Sequence, residues 1–270
     1  MTGQIKPGGH DVIADAQKLR KLHVPGDPLL LANVWDPTSA RVVEAAGMRV
    51  IATSSNALAP ANGYEDHGHL PADVAFSALR RIADTVSLPV TADLEDGYGL
   101  SPEEFVDRLA RAGACGANIE DTDHRAGALV DADRQAERIA AIKAAARARD
   151  FNAVINARVD VHFHKGPIEE GLRRARKYLD AGADCVFPIF LSDASAIRQY
   201  VAIGPTNILY APGSIELREL ARLGVARISV ASFFFRLLIK RLQIATDALR
   251  RFDDKGFGPE WQSSLLELRL

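Results

Sequence analysis

The sequence predicts an α/β protein built as one closed (β/α)8, or TIM, barrel. Three observations carry that expectation. Eight short runs of β-branched or apolar residues recur along the 270 residues, continuous enough to be parallel strands buried on both faces. Between them lie Ala-, Arg- and Glu-rich stretches with helix start and stop signals. Four helix-to-strand corners repeat a small-residue pattern: Ala46-Gly47-Met48, Ala112-Gly113-Ala114, Ala181-Gly182-Ala183 and Leu223-Gly224-Val225. Glycine there supplies the left-handed conformation that ends a helix. Eight such units in about 250 residues match the size of the barrel. A doubly wound open sheet is the runner-up, weakened because no G-x-G-x-x-G turn follows any strand.

In order, residues 1–28 read as a helical lead-in, 29–252 as the barrel and 253–270 as a tail. Strands are expected at Leu29–Val34, Arg49–Thr53, Pro89–Leu94, Ala117–Glu120, Ala153–Arg158, Asp184–Ile189, Asn207–Tyr210 and Ala226–Ala231. Asp36-Pro37 opens a helix that Gly47 closes, with aspartate as N-cap and proline at the first helical position. Ser101-Pro102-Glu103-Glu104 reads as a capping box. Asp131 to Arg149 is a long amphipathic helix. Others are expected over Pro71–Val86, Ile168–Ala181, Ala194–Ile203 and Ser214–Leu223.

Composition narrows the function classes. Hydrophobic residues are 47% and charged residues 25%, which excludes a disordered chain, a collagen-like fibre and a disulfide scaffold. Lys plus Arg is 33 against Asp plus Glu 35, so no basic excess exists to neutralise nucleic acid. Two cysteines suit a reducing cytosol. The N-terminus has no apolar signal region, and no uncharged stretch approaches the ~18 residues of a spanning helix. A cytoplasmic protein with neither a nucleic-acid nor a membrane partner is expected.

In such barrels the chemistry sits where strands end. Strands 3 and 4 end in five carboxylates, Asp93, Glu95, Asp96, Glu120 and Asp121, which repel one another unless a cation is present. Oxygen ligands without a His or Cys cage suit Mg2+, or alternatively Mn2+. Arg158, at the end of strand 5, offers a fork for a substrate carboxylate. A set of N-caps and surface ion pairs is the competing explanation, strongest for Glu95 and Asp121. Cys115 and Cys185 begin strands and read as packing residues. His162 and His164 lack a third ligand and read as surface or gating residues rather than zinc ligands. No lysine ends a strand, which disfavours a Schiff-base aldolase and leaves a metal-stabilised enolate.

Thr91-Ala92-Asp93-Leu94-Glu95-Asp96-Gly97-Tyr98-Gly99 resembles the D-x-[DE]-[TD]-G-Y-G strand of the isocitrate lyase/phosphoenolpyruvate mutase superfamily. Asn33 to Arg41, Ile119-Glu120-Asp121 and Asn156 to Asp160 resemble its strand 1, 4 and 5 signatures, so the similarity runs from about Leu29 to about Ile239 in order. The resemblance implies a Mg2+-dependent lyase of small 2-oxo or 2-hydroxy acids acting through an enolate. It makes Asp93 the direct metal ligand, with Glu95 and Glu120 holding the metal through water. It makes Arg158 the substrate arginine, and Thr53, Ser54 and Ser55 the carboxylate-binding loop. Asp66 becomes the aspartate of a mobile loop, so that Arg158, Asp66 and Glu120 form the expected catalytic set. It further implies a homotetramer or homodimer, often exchanging the last barrel helix. The K-[KR]-C-G-H loop of the lyases is replaced by Asp123 to Asp131, without cysteine or lysine, which favours a substrate smaller than a tricarboxylate. Phosphoenolpyruvate mutase or phosphonopyruvate hydrolase chemistry on a P–C bond is the alternative, and a non-catalytic acid-binding barrel is the alternative of another class.

Overall fold

The computed structural model describes residues 9–259 and 261. Residues 1–8 of the expected lead-in, and residue 260 with 262–270 of the expected tail, lie outside the described residues. Each apolar run becomes a parallel strand. β1 is Leu29–Leu31 continued by Asn33–Val34 after a break at Ala32. Then follow β2 (Ile51–Thr53), β3 (Val90–Asp93), β4 (Gly116–Ile119), β5 (Val154–Val159), β6 (Cys185–Pro188), β7 (Asn207–Leu209) and β8 (Arg227–Ser229). The break in β1 lets its first half pair with β8 and its second half with β2. The remaining strands pair in sequence order, and the ring closes through a parallel bridge between Val186 and Thr206. The barrel is therefore closed, as the sequence predicts.

The helices are α1 (Val12–Lys21), α2 (Pro37–Ala45), α3 (Ser55–Ala61), α4 (Ala72–Ala83), α5 (Pro102–Arg111), α6 (Ala132–Arg147), α7 (Ile168–Asp180), α8 (Ala194–Val201), α9 (Leu217–Arg222) and α10 (Phe233–Arg250). Two additions crowd the barrel mouth. Helix α3 occupies the loop after β2, and an antiparallel hairpin, Thr122–Asp123 with Ala128–Leu129, follows β4. The reciprocal capping box is at Asp36 and Ser39, not at Ser101. Ser101 Oγ accepts the Glu104 N–H, but the Glu104 carboxylate turns to Arg108, a charged donor one helical turn on.

The opposite end of the barrel is closed by α1. Leu19 lies beneath Gly116, where a Cβ would stand 2.8 Å from both a Leu19 methyl and the Val154 carbonyl. Arg20 and Lys143 both bind Asp184 there, at 2.7 and 2.8 Å. Among the described residues no helix is long and apolar enough to cross a membrane.

Candidate metal and acid site at the barrel mouth

Side chains alternate along a strand, so β4 sorts its residues between barrel interior and exterior. Asn118 and Glu120 face inward and Asp121 faces outward. The Asp121 carboxylate accepts from Arg174 Nη1 at 2.9 Å and from the Tyr178 hydroxyl at 2.6 Å, both on α7. Its other oxygen accepts the Asp160 N–H at 2.8 Å. The expectation of five converging carboxylates is thus corrected: Asp121 is a buried fastener between barrel and helix. Asp96 also stands apart, its carboxylate accepting the Tyr98 N–H within the turn after β3.

Asp93, Glu95 and Glu120 do come together, and Asp66 joins them from the loop after α3. Asp93 Oδ2 accepts from the Ser55 N–H and hydroxyl, each at 3.0 Å, and Oδ1 from Asn118 Nδ2 at 3.2 Å. Thr53 Oγ1 accepts the Asp93 N–H at 2.9 Å. In this arrangement Thr53 and Ser55 of the expected substrate loop hold Asp93 itself, while Ser54 is buried at the start of α3. Glu95 has a left-handed backbone, φ 51°, a strain of about 1–3 kcal/mol that clusters at functional sites. One of its oxygens accepts the Gly68 N–H; the other is buried without a partner. Asp66 Oδ2 accepts from Asn56 at 2.8 Å, and its Oδ1 is likewise buried and unpartnered.

Arg158 is 11% exposed and engages carboxylates through all three of its nitrogens. Its Nε and Nη2 form a fork on Asp160 at 2.6 and 2.8 Å, and Nη1 contacts Glu120. The bidentate grip expected for a substrate is thus made on Asp160. Of the five guanidinium N–H bonds, two remain to reach a ligand. Asp160 in turn accepts from the Thr122 hydroxyl at 2.6 Å, which ties the hairpin to β5.

His124, in that hairpin, is the functional residue that sequence reasoning missed. Its Nε2 contacts Glu120 and lies 3.9 Å from Glu95. Glu95, Glu120 and His124 each bring a ligand atom within 4.8 Å of the others. The usable signal was its place four residues after Glu120 in the strand-4 loop. Burial pushes the Glu95 carboxyl up to about 7, helped by the charges of Asp66, Glu120 and Asp93. Burial likewise lifts Glu120 to about 7 against the pull of Arg158 and His124. The Glu120 contact raises the His124 pKa even though burial opposes it. A site whose acids resist ionisation, and which keeps an unpartnered buried carboxylate oxygen, is short of positive charge. Its oxygen-rich donor set fits a hard divalent cation.

The two histidines after β5 are anchored. His162 Nε2 is 2.9 Å from the Tyr200 hydroxyl, and His164 Nε2 is 3.1 Å from Thr122 Oγ1; both are half-buried. Rings from four loops line up across the mouth: His124 and His67 at 5.2 Å, His67 and Phe163 at 6.5 Å, Phe163 and Phe190 at 6.0 Å. Cys115 and Cys185 are buried at the other end of the barrel, and burial pushes the Cys185 thiol up to about 12, as packing residues.

The phosphoenolpyruvate phosphomutase family model matches residues 19–250. The chain is 32% identical over 210 residues to the 2-methylisocitrate lyase of Salmonella typhimurium, covering 70% of each. It superposes on 2,3-dimethylmalate lyase, a PEP mutase/isocitrate lyase superfamily member, with TM-score 0.80 and 26% identity over 93% of this chain and 90% of that one. It superposes on a phosphonopyruvate hydrolase solved with oxalate and Mg2+ with TM-score 0.78 and 25% identity, covering 94% and 92%. The barrel, the acidic mouth and these matches agree: the chain is an enzyme of the phosphoenolpyruvate phosphomutase family, within the PEP mutase/isocitrate lyase superfamily.

Proposed function

We propose that the protein is a Mg2+-dependent lyase that breaks a C–C bond of a small 2-oxo or 2-hydroxy carboxylic acid. The observation that carries this reading is the juxtaposition of Glu95, Glu120 and His124 beside Arg158 at the barrel mouth, with a buried carboxylate oxygen left unpartnered. Asp93, Glu95 and Glu120 are the residues to hold the metal. His124, a nitrogen donor less suited to Mg2+, orients Glu120 from outside the ligand set. A Mg2+ bound there supplies positive charge to the oxo group of the substrate, stabilising the charge that develops when the adjacent bond breaks.

The chain's own residues do the rest. The two free N–H bonds of Arg158 orient the substrate carboxylate, with Ser54 and the start of α3 beside it. Asp160 holds the guanidinium plane so that this orientation costs little on binding. Asp66 approaches from the loop above. His124, holding a proton against Glu120, is a proton source at the mouth, where the cysteine loop of the lyases is missing. The arch of His124, His67, Phe163 and Phe190 excludes water.

A subunit assembly belongs to the same proposal. Helix α10 buries only Ala248 among its residues, while Leu237, Leu238 and Leu242 are more than half exposed. Such a face favours a homodimer or homotetramer that covers it.

The test is a panel of 2-oxo acids, 2-hydroxy acids and phosphonopyruvate, assayed for oxo-acid release with Mg2+ and with EDTA. Metal-dependent release from a carbon acid is the expected result. Release from phosphonopyruvate alone would replace it with P–C chemistry, and no metal-dependent turnover would favour a non-catalytic barrel.

A further inference from the structure

A cavity at the barrel mouth extends outward from one of the metal carboxylates, Glu120. It encloses about 1020 Å³, beginning at Glu120 and His124 and running outward between the turn after β3 and helix α6. That is at the upper end for small-molecule sites, about 300–1,000 Å³, and far more than a short oxo acid fills.

Its outer wall is cationic. Arg134 and Arg138 lie one turn apart on α6, where i and i+4 side chains share a face, and Arg125 of the hairpin also lines the cavity. None of these three side chains has an ion pair among the described residues, whereas Arg108, Arg149, Arg173 and Arg174 nearby are all paired. Arg138 is the informative one. Its Nη2 is buried and has no partner. It lies against the backbone at Gly97, where a Cβ would stand 2.6 Å from that nitrogen.

The acids on the wall lie near these charges without an ion pair to them among the described residues: the charge of Asp96 acts on Arg138, and Asp123 interacts with Arg125 and Arg134. Glu120 is taken by Arg158 and His124. Asp123 Oδ1 accepts the N–H groups of Arg125 and Ala126, at 2.9 and 3.1 Å. Asp96 accepts the Tyr98 N–H at 2.7 Å. Only the exposed Glu137 lacks such a commitment. A buried, unpartnered guanidinium nitrogen is costly and becomes favourable when an anion arrives.

We propose that Arg138, supported by Arg134, forms a second anion subsite at the outer end of this cavity, taking a carboxylate or phosphate group at the far end of the ligand from the metal carboxylates. As a statement about the substrate, it rests on the function proposed above. The substrate class it names is an acid whose second anionic end lies beyond Glu120, toward α6.

The test uses metal-free full-length protein and simple probes: inorganic phosphate and succinate, each titrated by calorimetry. Wild type should bind at least one of them at a single site, and the tighter probe identifies the group. Arg138→Met should weaken that binding tenfold or more, Arg138→Lys should recover part of it, and Arg134→Met should weaken it a few-fold. Arg134 is exposed on α6, so its variant keeps the fold if Arg138→Met does not. Asp93→Asn should leave phosphate or succinate binding intact while removing Mg2+ binding, which separates this subsite from the metal reading. No binding by wild type, or binding unchanged in both Arg138→Met and Arg134→Met, overturns the proposal.

Discussion

Two arginines are buried inside the same barrel, one near each end, and their surroundings are opposite. Arg158 at the mouth is clamped by Asp160 and Glu120, and those carboxylates hold its proton more tightly than usual. Arg227 begins β8 and reaches across the interior to Asn118 on β4, with a 3.2 Å bond from Nη2. Among the described residues it has no ion pair; Nε and Nη1 are unpartnered, and burial lowers its pKa to about 10. The mouth invests in charge pairs that a ligand or metal can rearrange. Toward the other end the barrel interior holds Arg227 with one amide partner, Asn118, among packing residues such as Cys115 and Cys185. Burial alone therefore does not mark a functional charge; the presence of several rearrangeable partners does.

The largest expected effect is at the mouth. Arg158→Met leaves Glu120 and Asp160 as unpaired buried carboxylates and should cost about 3–5 kcal/mol of stability. Arg158→Lys keeps the charge but loses the fork. Its cost should fall on transition-state orientation, about 2–4 kcal/mol in kcat/KM. Denaturant titration and steady-state kinetics on the best substrate check both. If the methionine variant stays within about 1 kcal/mol of wild type, the contrast between the two arginines is wrong.

Next in size is His23, beneath the barrel. Burial, then the charge of Arg227, lowers its pKa from 6.5 to about 4. Between those values the unfolded chain binds the proton and the native one does not. Stability is therefore intact above pH 6.5 and falls as pH drops toward 4, by up to about 3 kcal/mol. The stability advantage of wild type over His23→Gln should shrink by that amount across the window. A constant difference would mean that His23 takes up its proton in the fold as readily as in the unfolded chain.

Arg227→Met should move stability by no more than about 1 kcal/mol, because an apolar chain of similar length replaces an unpaired charge. Turnover should change only a few-fold. A loss as large as that of Arg158→Met would reveal a counter-ion for Arg227 and erase the distinction. Smallest of all, Cys115→Ala and Cys185→Ala should keep turnover, and neither thiol should react with iodoacetamide at about pH 8 in the folded protein, since burial raises both pKa values.

The barrel itself was legible because its signals are local. Apolar runs, Asp36-Pro37 and the glycine corners each specify an element without reference to the rest of the chain. The residues at strand ends were legible as a list, since barrel polarity names them. Their directions were not. Glu120 and Asp121 are adjacent acids at a strand end, and only the phase of β4 sends one to the mouth and the other to Arg174. Asp160 was visible beside Arg158, but that it takes the guanidinium fork depends on backbone placement at the end of β5. Helix α3 escaped because seven residues containing Pro60 carry little periodicity. His124 escaped because its role depends on a hairpin that folds it back over Glu120.

The proposed function depends on a Mg2+ site formed by the inward-facing carboxylates. Calorimetric titration of Mg2+ into wild type, Asp93→Asn and Glu120→Gln tests it most directly. Wild type should bind one Mg2+ per chain, and both variants should lose that binding. Melting temperature should be retained in Asp93→Asn, since neutralising one of several crowded acids relieves repulsion. Equal Mg2+ affinity in all three folded proteins would contradict it.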